Sequence, residues 1–303
     1  MWIYVLTLCG FINIMAILPS KSWSPSTTLK EATTNLTCGL QTRSPGQWLH
    51  WPANCISLKK KFMNRYIGCS GYYYKEWKER FYPEDLPESK WLEFYAGHFN
   101  TVEINNTFYN MPSEKDIKKW KEQTPGEFRF TIKAHRFFTH MKKLKKDRRF
   151  SHRLSKFQDV LHLFDDQLGC ILWQLPANLH KNLEKLEHFL GAVDPDLKHA
   201  VEFRHISWFC HEVYDLLSGS GVSFCMISAP DDLPEDVRTT SKTGYLRFHG
   251  KDTWYDYHYS NSELKDWKNR LDQIGPVDDL FIYFNNDQHG HAVDNAKSLK
   301  AYY

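Results

Sequence analysis

A pair of opposite charges stands inside a short apolar segment, His199-Ala200-Val201-Glu202-Phe203-Arg204. The segment is typical of a buried strand. Side chains alternate along a strand, so Glu202 and Arg204 point to the same face. A buried charge without a partner costs several kcal/mol. The two side chains therefore form a structural ion pair with each other, meet other charges, or lie at an open strand end beside a ligand.

The same feature recurs at the carboxyl-terminal ends of five other predicted strands. A single polar pair is more often a satisfied structural group than a catalyst, but six strands with polar ends at the same rim are hard to explain by packing. We therefore predict a functional pocket there. The further residues are Glu103 and Asn105, Lys133 and His135, Gln174, Arg247 and His249, and Asn285 and Asp287.

These residue types predict an enzyme that acts on a small anionic substrate, such as a phosphorylated sugar or a nucleotide. Arg204 and Arg247 carry planar guanidiniums suited to phosphate or carboxylate, and Lys133 adds a point charge. Glu202 or Glu103 is the expected general base, and His249 is the expected proton shuttle. The catalytic set is thus Glu202, His249, Glu103 and Asp287, and the substrate-binding set includes Lys133, Arg204, Arg247, Asn105, Gln174 and Asn285.

Two other functions remain open. Glu103, Glu202, His249 and Asp287 could hold a divalent metal in a phosphodiesterase or isomerase, although neighbouring arginines and lysine would repel a cation; otherwise no cofactor is predicted. Alternatively, the basic connection 136–153 could bind nucleic acid without catalysis. That connection combines Lys142, Lys143, Lys145, Lys146, Arg148 and Arg149 with the rings of Phe137, Phe138 and His140.

From residue 65 onward, the sequence alternates strand and helix patterns. Short apolar or β-branched runs bounded by turn or charged residues predict strands at 65–70, 101–108, 129–135, 169–175, 199–205, 221–227, 244–250 and 279–286. Apolar side chains at helical spacing predict helices at 88–99, 113–123, 152–165, 181–191, 261–274 and 290–302. Ser113 and Asp116 form the sequence pattern of a capping box at the start of the second helix.

Eight such units in about 240 residues predict a closed α/β barrel of the (β/α)8 TIM type. Residues 228–242 contain two prolines and no apolar stripe, so we expect the helix between strands six and seven to be missing or vestigial. An open doubly-wound sheet is the alternative, but no G-x-G-x-x-G motif opens the first helix.

Composition places few limits on the partner. The chain has 303 residues, 42% hydrophobic content and a net charge of +3. Residues 1–62 carry a net +5, so residues 63–303 carry a net −2, and no global field indicates nucleic-acid binding. The seven cysteines show no C-x-x-C spacing, which fits a reducing compartment, and we expect a cytoplasmic protein.

The first 62 residues are expected to lie outside the fold, and the barrel to occupy 63–303. Residues 2–18 are mostly apolar, yet they lack the basic start and clear cleavage site of a secretory signal, and a polar linker follows. Either this extension is an unstructured leader, or it precedes the natural start at Met63. If residues 2–18 act as an anchor or signal, the protein is membrane-attached or exported; the barrel itself is not expected to enter a membrane.

Six ordered motifs resemble the YecE-like family, known as domain of unknown function 72: Gly68-Cys69-Ser70-Gly71, Val102–Tyr109, Gln174-Leu175-Pro176, Glu202-Phe203-Arg204-His205 with Ser207-Trp208, Leu246–Gly250, and Tyr283–Asp287. The resemblance covers residue 65 to the end and implies a TIM-type barrel without an established reaction. Tyr72 stands where that family usually has Trp, which changes only the expected pocket shape. We further predict substrate contacts from Ser70, Tyr72, His140 and Trp208.

Overall fold

Eight parallel strands alternate with helices in residues 63–303, the part of the chain described by the computed structural model. The predictions for residues 1–62 lie outside the described residues. Several strands end two to four residues earlier than predicted, because the chain turns away as soon as the barrel rim is reached. The strands are β1 Asn64–Cys69, β2 Thr101–Ile104, β3 Arg129–Lys133, β4 Leu168–Gln174, β5 His199–Glu202, β6 Ser223–Ser228, β7 Thr243–Phe248 and β8 Asp279–Phe284.

Seven α-helices pack around the strands in this part of the chain. They are α1 Trp91–Ala96, α2 Glu114–Glu122, α3 Arg148–Leu161, α4 Leu183–Leu190, α5 His211–Gly219, α6 Asn261–Leu271 and α7 His291–Lys300. The predicted capping box is confirmed: the Ser113 side chain accepts from the Asp116 amide, and Asp116 accepts from the Ser113 amide. Helix α5 was not predicted, since its nine residues bury only Val213, Tyr214 and Leu217.

The connection between β6 and β7 contains no helix within its described residues, as predicted. Side-chain hydrogen bonds hold it in place instead. Ser228 Oγ donates to Glu235 Oε1 at 2.7 Å, Arg270 Nη1 donates to Glu235 Oε2 at 2.9 Å, and Tyr214 OH donates to Asp236 Oδ2 at 2.8 Å. These contacts to two acidic residues fasten the segment to β6, α6 and α5, where a helix would otherwise cover the sheet.

The basic connection 136–153 is largely helical. Phe137–Met141 forms a π-helical turn, and α3 begins at Arg148 with its Asp147 cap accepting from the Phe150 amide at 2.7 Å. Phe137 and Phe138 are only 2% and 0% exposed. The predicted use of these two rings for base stacking is therefore wrong, because both belong to the core.

The barrel is closed by side chains at one seam. Backbone ladders join the strands in the order β1-β8-β7-β6-β5-β4-β3-β2, and β1 then lies beside β2 without a described ladder. The Asn100 side chain makes two hydrogen bonds to the backbone of β1, in place of a neighbouring strand. Its Oδ1 accepts from the Ile67 amide at 3.1 Å, and its Nδ2 donates to the Arg65 carbonyl at 2.8 Å. Tyr95 OH accepts from the Cys69 amide at 2.7 Å and donates to the Thr101 carbonyl at 3.1 Å.

Two separate apolar regions stabilise the described residues. One lies between the sheet and the helices, and the smaller one fills the barrel interior with Cys170, Leu172, Ala200, Cys225, Ile227, Tyr245, Phe281 and Tyr283. The thiols of Cys69, Cys170 and Cys225 are free and buried, as predicted. Among residues 63–303, none of the helices is both long and apolar enough to cross a bilayer.

Candidate functional site

The barrel interior contains an ion-pair network centred on Arg247 of β7. Its Nη2 donates to Glu103 Oε1 of β2 at 2.6 Å, and its Nη1 donates to Glu202 Oε2 of β5 at 2.6 Å. All three side chains are 0% exposed. Tyr245, two residues before Arg247 on the same strand face, donates its hydroxyl to Glu103 Oε2 at 2.6 Å. The network thus joins three strands across the barrel.

Arg204 lies at the mouth, just after β5, and pairs with the remaining oxygen of Glu202. Its Nε donates to Glu202 Oε1, which also accepts from Gln174 Nε2 at 3.0 Å. The Arg204 side chain is 11% exposed, and its guanidinium lies over the Trp254 ring, 4.2 Å from the ring centroid. Of the two guanidiniums in the network, Arg204 is therefore the one that an incoming ligand can reach, because Arg247 is fully buried.

His249, just after β7, lies beneath Arg204 and is fully buried. Its Nε2 is 3.2 Å from Arg204 Nη2 and 3.3 Å from both Arg247 Nη1 and Glu202 Oε1, while its Nδ1 is 3.1 Å from Asn285 Nδ2. Burial and the neighbouring guanidiniums hold the pKa of His249 well below its usual range, with Glu202 opposing them. The imidazole is therefore neutral at physiological pH.

The network is electrically balanced. Burial opposes the ionisation of Glu202, but Arg204, Arg247 and His249 outweigh it and hold the pKa of that carboxyl well below its usual range. Burial likewise opposes the Arg247 cation, yet Glu103 and Glu202 raise the pKa of Arg247 further. With a neutral His249, two carboxylates balance two guanidiniums.

Lys133, at the end of β3, is the exception to this balance. Within the described residues, no carboxylate lies at ion-pair distance from its ammonium, which packs 4.6 Å from the centroid of the Phe108 ring. Burial first, and Arg247 second, lower the pKa of Lys133 to about 7, although Glu103 and Glu202 raise it. Because the network is otherwise balanced, a protonated Lys133 would give the mouth a net positive charge.

His140 packs on the same Phe108 ring, with ring centroids 4.9 Å apart. Burial, followed by the cations of Lys133 and Arg204, lowers the pKa of His140 to about 4. Its Nδ1 lies 2.9 Å from Thr139 Oγ1. The structure therefore brings His140 to the mouth beside Lys133 as a neutral imidazole.

A small pocket of about 310 Å³ opens at the rim between β1 and β2. Tyr72 and Asn105, two of the residues predicted to contact a ligand, line it. Asn105 Nδ2 donates to the Ser70 carbonyl at 2.9 Å, while Asn105 Oδ1 is buried without a partner among the described residues. Ser70 connects this pocket to the network, because its hydroxyl lies 3.4 Å from Arg247 Nη2.

Three predicted residues do not join the network. Asp287 follows β8 by three residues, so the strand alternation no longer applies; it accepts from Trp77 Nε1 at 2.8 Å, and burial raises its pKa to about 7. His135 lies past the end of β3 and contacts the Tyr109 carbonyl at 2.9 Å. Trp208 is core, since it is 1% exposed and donates to the Leu179 carbonyl at 2.6 Å.

The residues do not fit the predicted metal site. The four oxygens of Glu103 and Glu202 accept hydrogen bonds from Arg247, Tyr245, Arg204 and Gln174. Asp287, the fourth predicted ligand, pairs elsewhere. Within residues 63–303, no group of three or more His, Cys, Asp or Glu side chains has a metal-binding arrangement.

Sequence reasoning missed several residues of the site. Tyr245 shares the inward face of β7 with Arg247, so the strand alternation could have identified it. Tyr283 OH lies 2.6 Å from Thr101 Oγ1 and 2.7 Å from Thr131 Oγ1, one layer below the ion pairs. Trp254 lies in a loop without periodicity, and nothing in the sequence connects it to Arg204.

A parallel (β/α)8 barrel with its ionisable network at the carboxyl-terminal mouth defines a TIM-type barrel protein. The particular family follows from sequence: the family model described as protein of unknown function DUF72 matches residues 66–303, so the chain belongs to the DUF72, or YecE-like, family.

Curated relatives and solved structures agree with this assignment. The UPF0759 protein YunF of Bacillus subtilis is 28% identical over 272 residues, covering 77% of this chain and 93% of its own length. The UPF0759 protein YecE of Escherichia coli is 34% identical over 119 residues, or 39% of this chain and 43% of its own.

A DUF72 family protein of Thermotoga maritima is similar in structure, with a TM-score of 0.67, 30% identity and coverage of 79% of this chain and 98% of its own. A second, from Enterococcus faecalis, has a TM-score of 0.66 at 19% identity, covers 78% of this chain and 94% of its own, and supports the fold alone.

Proposed function

We propose that this protein is an enzyme that acts on a small anionic substrate, such as a phosphorylated sugar or nucleotide, by acid/base chemistry at the carboxyl-terminal mouth of the barrel. The observation that carries this proposal is the Lys133 ammonium, which lacks a carboxylate partner in the described part of the chain and shares the mouth with Arg204. Unpaired cations in a partly dry site favour an anionic ligand.

Arg204 and Lys133 are the proposed contacts to the anionic group. Arg204 is partly exposed and held in place by Glu202 on one side and the Trp254 ring on the other. A planar guanidinium fixed in this way can donate two parallel hydrogen bonds to a phosphate or carboxylate. Gln174 and Asn285, both partly buried beside Arg204 and His249, supply neutral hydrogen-bonding groups near the same mouth.

The acid/base assignments change from those made on the sequence. Glu202 was the expected base, but its saturated hydrogen bonds and low pKa make it a positioning residue that holds Arg204 and Arg247. Glu103 has the corresponding role on the other side of Arg247. His249 remains the proposed proton acceptor, because its imidazole is neutral and its Nε2 lies at the mouth beside Arg204.

The test measures anion affinity at the mouth. Isothermal titration calorimetry with inorganic phosphate, ribose 5-phosphate and AMP would compare the unmodified protein with R204Q and K133Q. A hydrogen bond to a charged group contributes about 1.5–3 kcal/mol, so each variant should lose roughly 10- to 150-fold in affinity. K145Q removes an exposed lysine that forms no side-chain hydrogen bond or ion pair with the network among residues 63–303 and should bind normally. Equal affinities in all four proteins, or no binding to any anion, would refute the proposal.

Nucleic acid is a second candidate partner, favoured by one exposed aromatic residue. Tyr109 is 60% exposed, and the Arg136 guanidinium lies 5.5 Å from its ring centroid. Arg149 and Arg153 lie nearby over the buried Phe137 ring. Such a combination can stack a base and contact phosphates. Fluorescence anisotropy with single-stranded DNA should then show salt-dependent binding that Y109A and R136Q weaken; binding insensitive to salt would count against it.

We also propose the cytoplasm as the compartment of the protein. The four cysteines of the described region, Cys69, Cys170, Cys210 and Cys225, are free thiols, as expected in a reducing environment. Localisation of the full chain by microscopy or fractionation in the native host would test this.

A further inference from the structure

Lys133 differs from the other cations of the network in having an amine that can react. Arg204 and Arg247 are each paired with carboxylates and stay protonated. Lys133 has no carboxylate at ion-pair distance among the described residues, and its Nζ lies 4.6 Å from the centroid of the Phe108 ring. Its more distant charged neighbours are the guanidiniums of Arg247 and Arg204 and the carboxylates of Glu103 and Glu202. A lysine that is desolvated or close to other cations is a common form of activated nucleophile in proteins.

We infer that Lys133 is a covalent nucleophile, whose Nζ condenses with the aldehyde or ketone carbonyl of the anionic substrate to form an imine. This inference rests on the proposed function: Arg204 holds the anionic group of the substrate and so brings its carbonyl to the mouth. Lys133 contacts the anion only in ligands without a carbonyl, such as inorganic phosphate, and attacks the carbonyl where one is present. It narrows the substrate class to small phosphorylated or carboxylated aldehydes and ketones.

The reaction balances with residues already at the mouth. Lys133 first transfers a proton from its ammonium to a neutral imidazole, and His140 is suited to this because both side chains pack on the Phe108 ring. The free amine attacks the carbonyl carbon and a C–N bond forms as the C=O π bond opens. The oxygen takes one proton from the nitrogen and one back from His140, whose low pKa favours its release, and the C–O bond breaks as water leaves. Protonated lysine and a neutral carbonyl compound thus yield a protonated imine and one water molecule, and no oxidant or reductant is needed.

The charges around Lys133 support the amine form. Burial, Arg247 and Arg204 lower the pKa of Lys133 to about 7, whereas Glu103 and Glu202 raise it. The facing His140 is neutral, since its own pKa is lowered to about 4. An ordinary lysine with a pKa of about 10.4 is less than about 0.1% deprotonated at pH 7. Lys133 therefore has a roughly thousandfold larger reactive fraction at neutral pH.

The test traps the imine chemically on the unmodified protein. The protein is incubated with glyceraldehyde or glyceraldehyde 3-phosphate and cyanoborohydride, and the adduct on each lysine is quantified by peptide mass spectrometry. We expect Lys133 to be modified at least about 10-fold faster than the exposed Lys145, with a half-maximal rate near pH 7. The phosphorylated aldehyde should react faster than glyceraldehyde, and R204Q should abolish that preference without abolishing the adduct at Lys133.

The two hypotheses fail in different ways. If Lys133 reacts no faster than Lys145 with either aldehyde, the inference is wrong, even where calorimetry shows phosphate binding. If Lys133 reacts rapidly but equally with both aldehydes, the nucleophile stands and the anion site is wrong. K133R, which keeps a positive charge and is checked for folding by circular dichroism, identifies the peptide signal because its guanidinium forms no reducible imine.

Discussion

Replacing Arg247 with methionine tests whether the buried network behaves as one electrostatic unit. Methionine is close in length to arginine but cannot hydrogen-bond to either carboxylate. In R247M, Glu202 keeps Arg204 and Gln174, whereas Glu103 loses the one cation that contacts it in the described region and retains only the Tyr245 hydroxyl. One carboxylate is therefore left buried without a countercharge.

The expected loss follows from the cost of that orphaned carboxylate. Removing one partner of a buried ion pair typically costs about 3–5 kcal/mol. The carboxylate can instead take up a proton, and for an ordinary glutamate pKa of about 4.3 this costs about 3.7 kcal/mol at pH 7. The two figures agree, so R247M should lose about 3–4 kcal/mol of the roughly 5–15 kcal/mol that stabilises a typical domain.

Urea unfolding at 25 °C, followed by circular dichroism, measures this loss. Protonation relieves the orphaned charge, so the penalty should be largest at pH 7 and shrink by up to about 2.7 kcal/mol at pH 5. The double variant R247M/E103Q removes the carboxylate as well and should recover a large part of the loss. Coupling energies between contacting residues reach about 0.5–3 kcal/mol.

The matched control is K90M, which breaks the exposed pair between Lys90 and Glu93, each 57% exposed. Surface pairs contribute about 0–1 kcal/mol, so this change should be nearly silent at both pH values. An R247M loss below about 1 kcal/mol, or a loss that grows as the pH falls, would refute the electrostatic argument. If the losses in the free energy of unfolding of R247M and E103Q simply add in the double variant, the electrostatic argument is also refuted.

Three further predictions concern the seam and the rim. Y95F should lose about 1–3 kcal/mol and speed hydrogen exchange at the Cys69 amide, which donates to the Tyr95 hydroxyl. G68A should destabilise the fold by about 1–3 kcal/mol or more in urea unfolding, because a Cβ there would lie 2.2 Å from the Thr101 carbonyl oxygen. D287N should be more stable than the unmodified protein at pH 8, with the difference closing below about pH 4, because burial raises the pKa of Asp287 to about 7 and penalises its ionised form.

Matched control variants distinguish these effects from a general sensitivity of the fold to substitution. Y109F removes the hydroxyl of a tyrosine that is 60% exposed and should leave stability unchanged, and G126A adds a Cβ with no heavy atom within 4 Å. In D287N the amide oxygen can still accept from Trp77 Nε1, so the variant removes the charge of Asp287 and keeps this bond. A stability difference that does not vary with pH would refute the electrostatic explanation. If the Cys69 amide in Y95F exchanges its hydrogen as slowly as in the unmodified protein, the Tyr95 hydroxyl does not close the seam between β1 and β2.

The sequence alone predicted the fold and most members of the ionisable network at the barrel mouth. Alternating strand and helix patterns predicted eight strands in the correct order, and the missing helix after β6 followed from two prolines and the lack of an apolar stripe in 228–242. The spacing of two along a strand correctly grouped Arg247 with His249 and Glu202 with Arg204 at one mouth. These inferences succeeded because strand periodicity is a local property of the chain.

Only the tertiary structure decided which of the ionisable groups meet and in what charge state. Beyond a strand end, side-chain direction depends on where the chain turns. The alternation rule therefore happened to hold for Arg204 and His249 but misplaced Asp287 and His135. The partners of Glu103, and the absence of a carboxylate at ion-pair distance from Lys133 among residues 63–303, depend on contacts between strands far apart in sequence. Burial and the sum of neighbouring charges set each pKa, and neither quantity is encoded by any short stretch of residues.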